Sequence, residues 1–88
     1  STLADAYCKL ADVYRNDSKH KPAADMYEKC TRLLPKHKEA WKWLGHTYIA
    51  QGGKPNSRKA KEVWKTHLRV SPDDPDNEDL RDQMSDLR

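Results

Sequence analysis

The chain has 88 residues, of which 35% are hydrophobic and 35% charged, with a mean hydropathy of −1.16 and a net charge of +3. That length supports one domain with a modest core, and no apolar run approaches the roughly 20 residues of a membrane-spanning helix. The charge is uneven, 15 Lys/Arg against 7 Asp/Glu up to Ser71 and 2 against 7 beyond it. An acidic end after a basic body suits intramolecular attraction better than a nucleic-acid platform.

In chain order, apolar residues at Leu3, Tyr7, Leu10, Ala11 and Tyr14 predict a helix from Thr2 to about Asn16 with one buried stripe. Asn16-Asp17-Ser18 supplies a polar break. Pro22 suits the first turn of a second helix, where a missing N–H costs nothing. That helix is expected to bury Ala23, Met26, Tyr27, Cys30, Leu33 and Leu34, and to stop before Pro35. A third helix over about 38–51 presents Trp41, Leu44, Gly45 and Tyr48. Gly45 is poor helix material, by about 1 kcal/mol against Ala, unless a paired helix packs closely there.

Gly52 to Asn56 reads as an expanded turn, and Asn56 or Ser57 as the cap of a fourth helix. This helix should bury Ala60, Val63, Trp64, His67 and Leu68 and end at Ser71-Pro72. Leu80, Met84 and Leu87, at i, i+4 and i+7, mark a fifth amphipathic helix over about 76–88, with acidic residues in its first turn.

The chain repeats itself. Tyr7, Leu10, Ala11, Tyr14, Ala23, Tyr27, Cys30 and Pro35 recur as Trp41, Leu44, Gly45, Tyr48, Ala60, Trp64, His67 and Pro72. The offset is 34 residues in the first half of each unit and 37 in the second, a three-residue insertion near 53–56. Trp41 to Tyr48 reads W-x2-L-G-x2-Y, and each unit continues with Ala-x3-aromatic and a Pro. In these residues the chain resembles the tetratricopeptide repeat (TPR) family. The resemblance covers about residues 4–72, as units of about 4–37 and 38–74 followed by a capping helix.

The resemblance implies an all-α fold: antiparallel helix–turn–helix repeats stacked as a short right-handed α-solenoid of about five helices. It also implies a protein–protein interaction adaptor or scaffold without enzymatic activity or cofactor. Its partner would be a peptide or helix held in the concave groove formed by the first helix of each unit. Groove candidates are Asp5, Cys8, Lys9, Asp12 and Arg15 from the first helix and Glu39, Lys42, Trp43, His46 and Ile49 from the third. Trp43 stands out because it lies about 200° around the helix from Trp41, on the side away from the core. The groove is mixed in sign, which favours a partner segment with mixed charges and an apolar anchor. A neighbouring repeat or a second copy could serve as well.

Some TPR domains hold acidic chaperone tails with a carboxylate clamp. At the clamp's basic and amide positions this chain has Cys8, Asp12, Trp43, Glu78 and Asp82, so such a clamp is not expected. The alternative surface is a basic row on the fourth helix, Arg58, Lys61, Lys65 and Arg69. It would serve a ribonucleoprotein scaffold of the half-a-TPR kind, though without exposed aromatics to stack on bases. Cys8, Asp12 and His46 could be imagined as a metal or thiol–imidazole group, but their spacing matches no metal signature, and none is expected. Two cysteines make no disulfide framework, so reduced thiols in an intracellular, cytoplasmic setting are expected, with the nucleus left open. The start at Ser-Thr-Leu suggests a piece of a longer protein or a processed end.

Overall fold

A computed structural model describes residues 2–87. Five helices follow one another: α1 (Thr2–Asn16), α2 (His20–Leu33), α3 (Lys38–Gln51), α4 (Lys54–Val70) and α5 (Asn77–Asp86). No strand occurs among the described residues. Helix α1 packs on α2, α3 on α4, and α2 on α3, while α5 rests against α4. The result is all-α: two helix hairpins side by side and a shorter helix at one end, 36 × 28 × 18 Å overall.

The duplicated residues occupy matching surroundings at most positions. Ala23 and Ala60 are fully buried, Tyr27 and Trp64 are the large buried rings, and Cys30 and His67 are equally inaccessible. Tyr7 and Trp41 are both partly buried against the central cluster. The pair that differs most is Leu10 and Leu44, 40% and 1% exposed. Helix α3 lies between α2 and α4, whereas α1 packs on α2. The buried face of α1 is therefore turned part-way from the expected one, keeping Ala11 with Tyr7 and Tyr14 against the core. It consists of Ala4, Cys8 and Ala11, and it leaves Leu3 and Leu10 outward with Val13. On α2, Leu33 is likewise exposed, and Ala24 and Thr31 are buried instead.

Gly45 is where the two helices of the second unit come closest. A Cβ there would sit 2.1 Å from Trp64 Nε1. The indole N–H donates to Lys42 O at 3.0 Å, so the one polar atom of this fully buried ring is satisfied.

One turn falls where the sequence puts it and the other does not. Helix α1 stops at Asn16, and in the polar break that follows Ser18 takes a left-handed φ of 58°, with Lys19 N donating back to Tyr14 O. The three inserted residues do not enlarge a loop. The α3–α4 turn is Gly52 and Gly53, at φ 81° and 90°, and α4 begins at Lys54 with Pro55 in its first turn. Helix α4 has 17 residues where α2 has 14. Proline is well suited to the first turn, so helix was cheaper than slack. Asn56 and Ser57 consequently do not cap α4, and Asn56 Nδ2 donates to Gly52 O at 2.8 Å.

The largest correction concerns the cysteines. Cys8 of α1 and Cys30 of α2 are joined as a disulfide, with Cα atoms 5.1 Å apart. Each belongs to the buried face of its helix, and the hairpin brings the two faces together. The expectation of two reduced thiols does not hold.

The acidic end folds back as its charge suggests. Lys42 Nζ lies 2.9 Å from both Asp74 Oδ2 and Asp76 Oδ2. In α5, Leu80 is buried and Leu87, just beyond the helix, packs against the core. Asn77 is buried too, its amide donating to Ser71 O at 2.7 Å.

Candidate functional site

Between α1 and α3 lies a cavity of about 360 Å³. Its lining comes from Asp5, Cys8, Lys9, Asp12 and Arg15 of α1, from Tyr27 of α2, from His37 in the turn, and from Glu39, Ala40 and Trp43 of α3. On α1 these residues follow one another at helical spacing, so regular helix geometry alone aligns them along one wall. Trp43 is 37% exposed and stands at this wall's counterpart on α3. The Arg15 guanidinium lies 3.8 Å from its ring centroid, a cation–π contact that ties the two walls together.

The polar groups here are already partly committed to one another. The Tyr27 hydroxyl donates to Asp12 Oδ1, and Arg15 Nη2 is 3.8 Å from the same carboxylate oxygen. Burial, then the bond to Asp12, raises the Tyr27 pKa well above its ordinary value, so Tyr27 stays a neutral donor. Arg15 Nη1 is buried and has no hydrogen-bond partner. A buried guanidinium donor without an acceptor is costly, and an arriving oxygen would relieve it. At the end of the cavity His37 caps α3, its Nδ1 accepting from Ala40 N at 3.2 Å.

Of the ten residues expected in the groove, seven share this cavity: Asp5, Cys8, Lys9, Asp12, Arg15, Glu39 and Trp43. The other three do not. Lys42 is engaged by Asp74 and Asp76; burial lowers its pKa but the two carboxylate bonds outweigh it, and the net shift is upward. His46 is half-buried between aromatic rings, 5.5 Å from Trp43 and 5.0 Å from Trp64 between centroids. Burial, then the Lys42 charge, lowers its pKa and keeps it neutral. Ile49 packs against the core. Each of the three is drawn off by a tertiary neighbour: the acidic segment after α4, the Trp64 ring, and the core.

Helix α5 does not plug the cavity, none of whose lining comes from it. The sequence reading missed Tyr27, His37 and Ala40 in the lining. Tyr27 reads as pure core, and His37 as a turn residue, since imidazole is not among the common capping groups. The imagined Cys8–Asp12–His46 group does not form as such; the histidine that reaches the sulfurs is His37. Its ligand atom and those of Cys8 and Cys30 all lie within 4.8 Å of one another.

The basic row of α4 is outward, with Arg58, Lys65 and Arg69 exposed and Lys61 partly so. Lys65 lies 3.7 Å from Glu62, an exposed pair of little energetic weight. No helix is long and apolar enough to cross a membrane among the described residues. The sequence matches no family model and no curated protein.

Proposed function

We propose that the chain is a TPR-like protein-interaction module, an adaptor that works by recognition without chemistry, and that it holds a peptide or helix of a partner in the α1–α3 cavity. The observation that carries this reading is the cavity itself, with a part-exposed tryptophan at its wall and a buried, unsatisfied Arg15 donor beside it. Indole and guanidinium are the groups that most often dominate binding energy at protein interfaces. Asp5, Asp12 and Glu39 against Lys9 and Arg15 favour a guest with charges of both signs and an apolar residue for Trp43. The bonded Cys8–Cys30 pair favours an oxidising setting over the reducing cytoplasm that the sequence suggests.

The test is selection from a displayed random-peptide library, followed by affinity measurement on the winning peptides. Trp43→Ala and Arg15→Ala should each weaken binding about tenfold or more. A variant with Arg58, Lys61 and Lys65 changed to Ala should bind as the wild type does. Loss with that variant alone, together with RNA binding that falls steeply with salt, would move the function to the outer surface of α4. Equal binding by Trp43→Ala would remove the cavity from consideration.

A further inference from the structure

At and behind the cavity wall that Cys8 and His37 line lies metal-ligand chemistry that the interaction reading does not use. Cys8, Cys30 and His37 come from α1, from α2 and from the turn before α3, so only the folded chain brings them together. Their ligand atoms lie within 4.8 Å of one another, with the cysteines buried and His37 half-buried. Asp5 and Glu39 line the same cavity. The geometry points to a second state of this cluster, in which Cys8 and Cys30 are reduced and, together with His37, bind a divalent cation of the zinc class. The same two sulfurs then alternate between a disulfide and a thiolate–imidazole metal centre.

A dithiol reductant breaks the Cys8–Cys30 bond, its two hydrogens passing to the sulfurs as it becomes a disulfide. Binding of the cation then forms two sulfur–metal bonds and releases those two protons to solvent. Zinc–sulfur bonds of about 2.3 Å and zinc–nitrogen bonds of about 2.0–2.1 Å place tetrahedral ligands roughly 3.3–3.8 Å apart. Relative to a spread of 4.8 Å, the sulfurs separate and the imidazole closes in. The fourth position opens into the cavity, where water or the carboxylate of Asp5 or Glu39 can fill it. Soft thiolates with one imidazole select zinc over magnesium or calcium.

His37 makes the site distinguishable from a chance pair of thiols. Its Nδ1 accepts the Ala40 N–H, so the neutral ring carries its proton on Nε2. Coordination through Nδ1 takes that lone pair directly, and coordination through Nε2 moves the proton onto Nδ1. Either way the Ala40 N–H loses its acceptor. Metal uptake and the cap of α3 exclude each other.

The experiment titrates cobalt(II) into the whole chain, reduced anaerobically with a phosphine, which takes its oxygen from water and competes weakly for metal. One equivalent should bind, with a thiolate-to-cobalt charge-transfer band that zinc bleaches, while the untreated, bridged protein gives no band. The Ala40 amide resonance should shift on binding. His37→Ala should bind at least about tenfold more weakly and with a weaker Ala40 shift. If the reduced chain loses helix, cobalt should restore it as the band grows. A reduced protein without the band overturns the proposal, as does His37→Ala that binds equally well. A bridge that resists excess phosphine in the native protein overturns it too, because the ligands then never become free.

Discussion

Gly45→Ala should destabilise the protein, although helix propensity alone predicts the reverse. Alanine in a helix interior is favoured over glycine by about 1 kcal/mol. The new methyl would sit 2.1 Å from Trp64 Nε1 and 2.5 Å from Cδ1 and Cε2 of the same ring. An ordinary contact needs more than about 1 Å of extra separation, and the ring has nowhere to go because Trp64 is fully buried. Overpacking of this kind costs about 1–3 kcal/mol. Moving the indole also breaks its bond to Lys42 O, which strands a buried donor at a further cost of about 1–3 kcal/mol. The net expectation is a loss of about 1–5 kcal/mol, or roughly 4–40 °C in midpoint for a domain of this size. Thermal unfolding followed by circular dichroism measures it. Gly45→Ala combined with Trp64→Leu should lose less than the two single changes added together, because the smaller side chain vacates the clash. A Gly45→Ala midpoint at or above that of the wild type would refute the packing of α4 on α3 described above.

Trp43→Ala should unfold within about 1 kcal/mol of the wild type, because the ring is part-exposed and gives up mainly the Arg15 and His46 contacts; urea unfolding checks this. Replacing Cys8 and Cys30 together by Ser should cost about 3 kcal/mol for a bridge of sequence separation 22, seen as a lower urea midpoint. Asp74 is held down to about 2, first by the Asp76 backbone N–H and then by Lys42. A carboxylate depressed in the fold stabilises above its unfolded value of 3.8 and stops doing so as pH falls toward 2. With its side chain 10% exposed, the amount at stake is on the order of 1–2 kcal/mol, and Asp74→Asn should flatten that limb of the stability curve. His46, depressed by burial and then by Lys42, favours its neutral form in the fold. Stability should therefore begin to fall as pH drops through 6.5, and His46→Gln should remove that earlier step, measurable as midpoint against pH.

Helix positions were legible because each helix carries its own period and its own breaks. The duplicated block also identified Ala23, Tyr27, Ala60, Trp64 and His67 as interior without reference to any other chain. What failed was the choice of face on α1. Of the predicted stripe, Ala11 is buried and Tyr7 and Tyr14 pack against the core, but Leu3 and Leu10 face outward and Ala4 and Cys8 are buried in their stead, because small residues allow the close approach of α2. Stripe hydrophobicity reports what could be buried; the number of neighbouring helices decides what is. The cavity wall on α1 followed from spacing, and Trp43 from its angle to Trp41. Lys42, His46 and Ile49 were misplaced because the returning acidic segment and Trp64 are tertiary neighbours that no local pattern announces. The disulfide was missed for the same reason. Residues 22 apart meet only once the hairpin exists.

Corresponding rungs of the two units are fastened with different materials. Positions 8 and 30 in the first unit answer to Lys42 and His67 in the second, at offsets of 34 and 37. Sulfur joins the first pair directly. In the second, a single oxygen, Asp74 Oδ2, clasps both partners, 2.9 Å from the lysine and 3.0 Å from the histidine. Electron donors therefore slacken one half of the protein and acid the other.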